Sequence, residues 1–149
     1  MGFYDDRVLP HLINVVMNNK QTREIRQRLC ADLSGEVLEI GFGTGHNLPY
    51  LPATVTKLLA VEPSGLGVRL ASERIEASPV PVDVVGLDGE RLPLPDSSVD
   101  AALSTWTLCT IPDAVAAIRE VRRVVAERTG VTLATELRLV GFDPMTNGG

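Results

Sequence analysis

Between Val37 and Gly45 an apolar run interrupted only by Glu39 passes into three alternating glycines, Gly41, Gly43 and Gly45. A strand that turns tightly into a helix while admitting a ligand against its backbone needs residues without a Cβ there. A merely flexible glycine-rich turn is the plain alternative, and the flanking strand and helical spacings favour a nucleotide-type ligand. The spacing departs from the dinucleotide fingerprint, because His46 stands where the third glycine of Gly-x-Gly-x-x-Gly belongs. No Gly-Lys-Ser/Thr follows, so a phosphate loop of the Walker kind is excluded as well.

The acid inside the turn narrows the ligand further. Glu39 would repel a pyrophosphate, yet it can accept a hydrogen bond, direct or through water, from a cationic amino group. S-adenosylmethionine (SAM) has such a group and no phosphate, and that contrast selects it. Two more acids end strands. Glu62 closes the second, where a carboxylate can accept from both ribose hydroxyls; a solvated strand-end acid is the competing view. Asp88, before Gly89, closes the third, where it can take up an adenine amino group or simply form a turn.

The elements that must position these residues follow from periodicity. Helical spacing runs from Leu9 to Leu33 and ends at Ser34-Gly35. Strands are expected at Glu36–Ile40, Lys57–Val61, Val82–Leu87, Val99–Thr107 and Val131–Leu137, with helices over Leu66–Ala77 and from Pro112-Asp113 to about Glu127. Strands alternating with helices imply a Rossmann-like, doubly wound α/β fold with a mainly parallel sheet, whose ligands bind beyond the carboxyl ends of the strands. The 149 residues form one domain, divided into an N-terminal helical segment, 1–34, able to serve as a substrate lid, and a core over 35–149.

Composition bounds the function. A net charge of −5 argues against nucleic acid and anionic membranes as partners, since both require a basic face. The opening residues are mixed and polar, and no apolar run approaches the roughly 20 residues a membrane span needs, so a cytoplasmic protein without signal peptide is expected. Cys30 and Cys109 match no metal or redox spacing; both read as buried apolar fillers in a reducing compartment, and no metal is expected.

As a set, these segments resemble the class I SAM-dependent methyltransferases over roughly residues 35 to 137. Val37–Gly45 is similar to their first motif, and Val61-Glu62-Pro63-Ser64 to the segment that follows. Asp88–Leu94 resembles an element of the type 11 group, which includes the ubiquinone and menaquinone C-methyltransferases. Ser104–Asp113, together with Arg119–Val124, is closer still to the methyltransferase-like thiol S-methyltransferases and their bacterial relatives. The resemblance implies that Glu39, Gly41, Gly43 and Gly45 line the methionine part of SAM, with Phe42, Thr44 and Asn47 in the same turn. It further implies that Glu62 holds the ribose beside Pro63 and Ser64, that Asp88 and the Gly89 amide read the adenine, and that Thr105 lies near the sulfonium. S-adenosylhomocysteine is then the product, and the acceptor a small molecule: a thiol, or an oxygen or carbon nucleophile of a lipophilic compound.

Two departures shape the remaining expectations. Ala126–Gly130 replaces the family's Lys/Arg-Pro-Gly-Gly turn, and about a dozen residues follow the fifth strand where relatives continue with a helix and two antiparallel strands. A core lacking those C-terminal strands is expected either to self-associate as a homodimer through the exposed sheet edge or to keep an open pocket. The alternative function is a truncated SAM-binding module with little or no catalysis, acting as a partner subunit or surviving as a remnant; an NAD-dependent oxidoreductase is more distant. Tyr4, His11 and Thr105 are the candidate catalytic groups, the first two equally readable as surface or packing residues. Trp106 is read as a substrate floor or a buried strand-end aromatic, and the arginines at 119, 122, 123 and 128 as a solvated stripe.

Overall fold

The computed structural model describes residues 19–86 and 89–125. Their sheet has four parallel strands, β1 (Gly35–Ile40), β2 (Val55–Val61), β3 (Val82–Gly86) and β4 (Ala101–Ser104), in the order β3-β2-β1-β4. Helices α1 (Lys20–Cys30), α2 (Gly65–Ala77) and α3 (Ala114–Val124) flank it. Strand order reverses between β1 and β4, and a sheet of this kind opens its ligand crevice beyond the carboxyl ends of the strands at that point.

Side chains of successive strand residues leave opposite faces, and this sorts the core. Val37, Leu58, Ala60 and Leu103 pack on one side with Cys30 and Ala71 from α1 and α2. Leu38, Ile40, Leu59 and Val61 pack on the other with Leu92, Val99 and Val124, the last from α3. Both faces of β1 are therefore covered, which is why its last four residues are all buried, Glu39 included. By the same alternation Glu39 shares the α1 side with Val37.

Each helix begins on a side-chain cap. Asn19 Oδ1 accepts from the Thr22 amide at 2.9 Å, Ser64 Oγ from Gly67 at 3.1 Å, and Asp113 Oδ1 from Ala116 at 2.9 Å. Asp113 thus caps the helix whose start was expected at Pro112-Asp113.

The turn after β1 departs from expectation. No α-helix follows Gly41–Gly45; the chain makes only a 3₁₀ turn at Leu48–Tyr50 before reaching β2. Pro49 can open such a turn, but Pro52 forces Leu51 into an extended conformation (ψ 127°) and ends it. β4 is shorter than the expected Val99–Thr107. Val99 instead bridges in parallel to Val125, and Trp106 leaves strand geometry with a φ of 55°. Cys30 is buried as expected, whereas Cys109 is exposed, because the chain around it forms the 3₁₀ turn Leu108–Thr110 rather than continuing into the core.

The expected fifth strand, the edge through which self-association was expected, the helical segment before Asn19 and residue Asp88 all lie outside the described residues. Among the described residues no helix is long and apolar enough to cross a membrane, and no metal-holding group of acids, histidines and cysteines occurs.

Candidate functional site

A cavity of about 430 Å³ opens at the carboxyl ends of β1, β2 and β4, a size suited to a cofactor or small ligand. Its base is the glycine turn. Gly41 and Phe42 donate to the Val61 carbonyl at 2.9 and 3.1 Å, so β1 folds over the end of β2. Gly41, with φ 75°, has no room for a side chain, since a Cβ would collide with Thr107. Gly43, with φ 58°, differs. A Cβ there meets nothing nearer than the Gly41 carbonyl at 3.9 Å, so it would occupy space that a ligand against the backbone requires.

Glu62 stands beside this turn, buried and held from two directions. Its Oε2 accepts from the Gly43 amide at 2.6 Å and its Oε1 from the Ser64 amide at 2.8 Å. Gly67, in the first turn of α2, packs against both, and a Cβ on it would come within 3.1 Å of the Gly43 carbonyl. The carboxylate is fixed before any ligand arrives.

Glu39 is only 1% exposed. Its Oε1 accepts from Asn47 Nδ2 at 2.6 Å, while Oε2 meets no partner. Burial raises its pKa from 4.5 to about 8, against the opposing pull of the Asn47 hydrogen bond and the Arg26 charge. Asn47 Oδ1 in turn accepts from Arg26 Nη1 at 2.6 Å. Thr105 Oγ1 completes the network, accepting from Asn47 Nδ2 at 3.0 Å and from Arg26 Nη1 at 3.4 Å. Burial also lowers the Arg26 pKa, and the Trp106 ring lies 4.7 Å from its guanidinium carbon.

Glu39, Gly41, Phe42, Gly43, Thr44, Glu62, Pro63, Ser64, Gly89 and Thr105 therefore border one cavity. Asn47 works behind the wall through Glu39 and Arg26. Gly45 faces the core, where a Cβ would press on Leu48 and Phe42 at 3.1 Å. Tyr4, His11 and Asp88 lie outside the described residues. Thr105 already accepts two hydrogen bonds, so its hydroxyl would leave this network to act as a base.

Sequence reasoning missed Arg26 and left Trp106 open between two roles. Trp106 is 45% exposed at the cavity wall, not a buried strand-end aromatic. Arg26 is only 5% exposed, and the one sequence signal for it was a cation on the same helical face as Cys30. His46, also on the wall, is drawn down to about 4 by burial and by Arg74 and Arg26. It is neutral at physiological pH.

Four parallel strands with a glycine turn and an oriented acid at the switch point define a Rossmann-like methyltransferase core. Residues 38–131 match the type 11 methyltransferase domain, more than half of the chain, and the chain belongs to that family of class I SAM-dependent methyltransferases. Bacillus subtilis YcgJ is a similar solved structure, 25% identical with a TM-score of 0.58, covering 70% of this chain and 45% of its own. A SAM-dependent methyltransferase from Aquifex aeolicus is 22% identical with a TM-score of 0.62, covering 78% and 67%. The cyclase SpnF is 25% identical with a TM-score of 0.60, covering 71% and 40%. The chain thus spans from about two fifths to two thirds of the length of these structures. No curated protein matches the sequence.

The residues present fit the family's cofactor. Glu39 keeps an unpartnered carboxylate oxygen beside the cavity, suited to an ammonium group. Gly43 leaves room against the backbone, and Glu62 presents a fixed carboxylate for hydroxyls. The turn offers no α-helix N-terminus of the kind that holds a pyrophosphate.

Proposed function

We propose that this chain binds SAM along the ends of β1 and β2 and transfers its methyl group to a small-molecule nucleophile. The observation carrying this reading is the Glu62 carboxylate, clamped between the Gly43 and Ser64 amides beside the open side of the glycine turn. So held, Glu62 accepts from the ribose hydroxyls, and the Gly89 segment covers the adenine side of the same cavity. Glu39 and the Gly41–Gly43 backbone bind the methionine part.

SAM supplies a methyl group on a sulfonium whose departing thioether is neutral, so the protein needs no acid for the leaving group. What the chain contributes is proximity, orientation and exclusion of water. Trp106, Ile111 and Pro112 give one side of the cavity wall an apolar surface, which supports a lipophilic acceptor. His46, with its pKa near 4, is a poor proton acceptor at neutral pH. Acceptors that ionise readily by themselves are favoured accordingly, thiols before alcohols, with oxygen or carbon nucleophiles of acidified lipophilic compounds next. Helix α1 contributes to the site by bringing Arg26 to the cavity. We place the reaction in the cytoplasm, where the free Cys30 and Cys109 stay reduced.

Calorimetric titration with SAM and S-adenosylhomocysteine, beside a Glu62→Ala variant, tests the reading. Saturable binding is expected in the wild type, with affinity in the variant reduced about thirty-fold or more, the worth of hydrogen bonds to a charged group. A folded wild type that binds neither ligand overturns the proposal. Binding without turnover across thiols, phenols and quinols would instead identify a SAM-binding module that serves a partner subunit.

A further inference from the structure

Trp106 holds a conformation that its type rarely takes. Its φ of 55° lies in the left-handed region, where a bulky side chain crowds its own backbone, and such geometry persists only when neighbours over-determine it. Two bonds tie the chain here. Thr107 Oγ1 donates to the Thr105 carbonyl at 3.0 Å, and Cys109 Sγ donates more weakly to the Trp106 carbonyl at 3.9 Å. The result is a large apolar ring kept 45% exposed at a cavity wall, without the burial that stabilises such side chains elsewhere.

One face of the indole is already covered. The Arg26 guanidinium carbon stands 4.7 Å from the ring centroid, and Arg26 is itself fixed by the Asn47 side-chain oxygen at 2.6 Å. The exposed surface is therefore the opposite face and the rim, backed by a support that is held in place. A seat of this kind selects by shape and by charge. A planar ring stacks on it at close range, whereas a saturated ring of equal carbon count meets it only through hydrogens. A cation is a poor occupant, because the guanidinium on the far face already draws on the negative quadrupole of the ring.

On the cofactor reading above, the adenosine lies toward Glu62, at the end of β2. β2 and β4 flank β1 on opposite sides, so the indole, next to Thr105 after β4, stands toward the reacting end instead. Resting on that reading, we propose that the methyl acceptor is a neutral or anionic planar aromatic compound, and that Trp106 is the specificity-determining residue that stacks on its ring.

The test uses naphthalen-2-ylmethanethiol and its decahydro counterpart, added to the chain loaded with S-adenosylhomocysteine. Both carry the thiol on a methylene, so its acidity stays similar, and the saturated compound is the more apolar. Equilibrium binding should favour the aromatic thiol by about three- to ten-fold, the worth of one aromatic pair. Its ring protons should also move upfield in the NMR spectrum as they enter the ring current of the indole. Trp106→Leu, which keeps an apolar wall, should abolish the preference and the shift while S-adenosylhomocysteine affinity stays nearly unchanged. Trp106→Phe should restore part of each.

A wild type that binds both thiols alike, prefers the saturated one or binds neither overturns the inference, and its S-adenosylhomocysteine binding leaves the cofactor reading intact. A folded wild type that binds no S-adenosylhomocysteine defeats both. Parallel loss of S-adenosylhomocysteine and both thiols in Trp106→Leu would assign the indole to the cofactor or to the fold, against the proposal. Should that variant fail to fold, the wild-type ring-current shift and Trp106→Gly, which takes the left-handed backbone without strain, decide.

Discussion

Glu39 shows how one residue can be legible in kind and illegible in setting. Its position at the end of β1, just before the glycine turn, suggested an amino-group acceptor, but nothing local announced the Asn47 bond or the cation across from it. Arg26 is 79 positions from Thr105, which shares its network, and a contact that distant in sequence leaves no periodic trace. The buried carboxyl also makes a prediction about pH. Its affinity for a proton rises on folding, from a pKa of 4.5 to about 8, so the folded state holds the proton that the unfolded state releases. The stability this provides is complete below pH 4.5 and is lost as pH climbs through about 8. Denaturant melts between pH 5 and 9 should therefore show stability falling by at most about 1.4 kcal/mol per pH unit from this group. Glu39→Gln, which keeps an acceptor for Asn47, should flatten that slope. An unchanged slope in the variant would mean that Glu39 does not carry it.

Among the elements, those with strong internal pattern were readable and those decided by neighbours were not. β1 and β2 announced themselves as short apolar runs closed by Gly41 and by Glu62-Pro63, and α3 begins directly after the Pro112-Asp113 start that its spacing indicated. The helix expected after the glycine turn is absent because Pro49 and Pro52 allow a single 3₁₀ turn. Helix α3 also does more than its charge pattern suggested. Arg123 reaches the Leu92 and Leu94 carbonyls at 3.0 and 2.7 Å and Asp96 Oδ1 at 2.7 Å, while Glu120 accepts from the Leu92 amide at 3.1 Å. The hydrogen bond from Arg123, with the Leu92 amide behind it, lowers the Glu120 pKa. What reads as a solvated arginine is a clamp on the segment that follows the third strand. Arg123→Ala is expected to speed amide exchange at Leu92 and Ser97 while leaving β1 and β2 protected, as hydrogen–deuterium exchange would register. Uniform acceleration through the sheet would argue against a local clamp.

At the scale of the molecule, sequence was sufficient for the layered α/β fold and the end of the sheet where chemistry belongs, since crossover chirality and the switch point follow from element order. It was not sufficient for the cavity wall, which α1 and the turn after β4 assemble from separate parts of the chain. SpnF, a cyclase on a similar scaffold, shows why such a fold leaves the reaction to be settled by acceptor turnover. The geometry at the end of β4 has one more consequence. The chain has a single tryptophan, and its left-handed backbone turns the indole out of the strand and over Arg26 at the cavity wall. Its emission is then an optical reporter that needs no label, silent about the rest of the fold and sensitive to what enters beside it. Titration with S-adenosylhomocysteine should shift or quench that fluorescence along the same saturation curve that calorimetry records, and a spectrum unmoved at saturation would place the ligand away from Trp106.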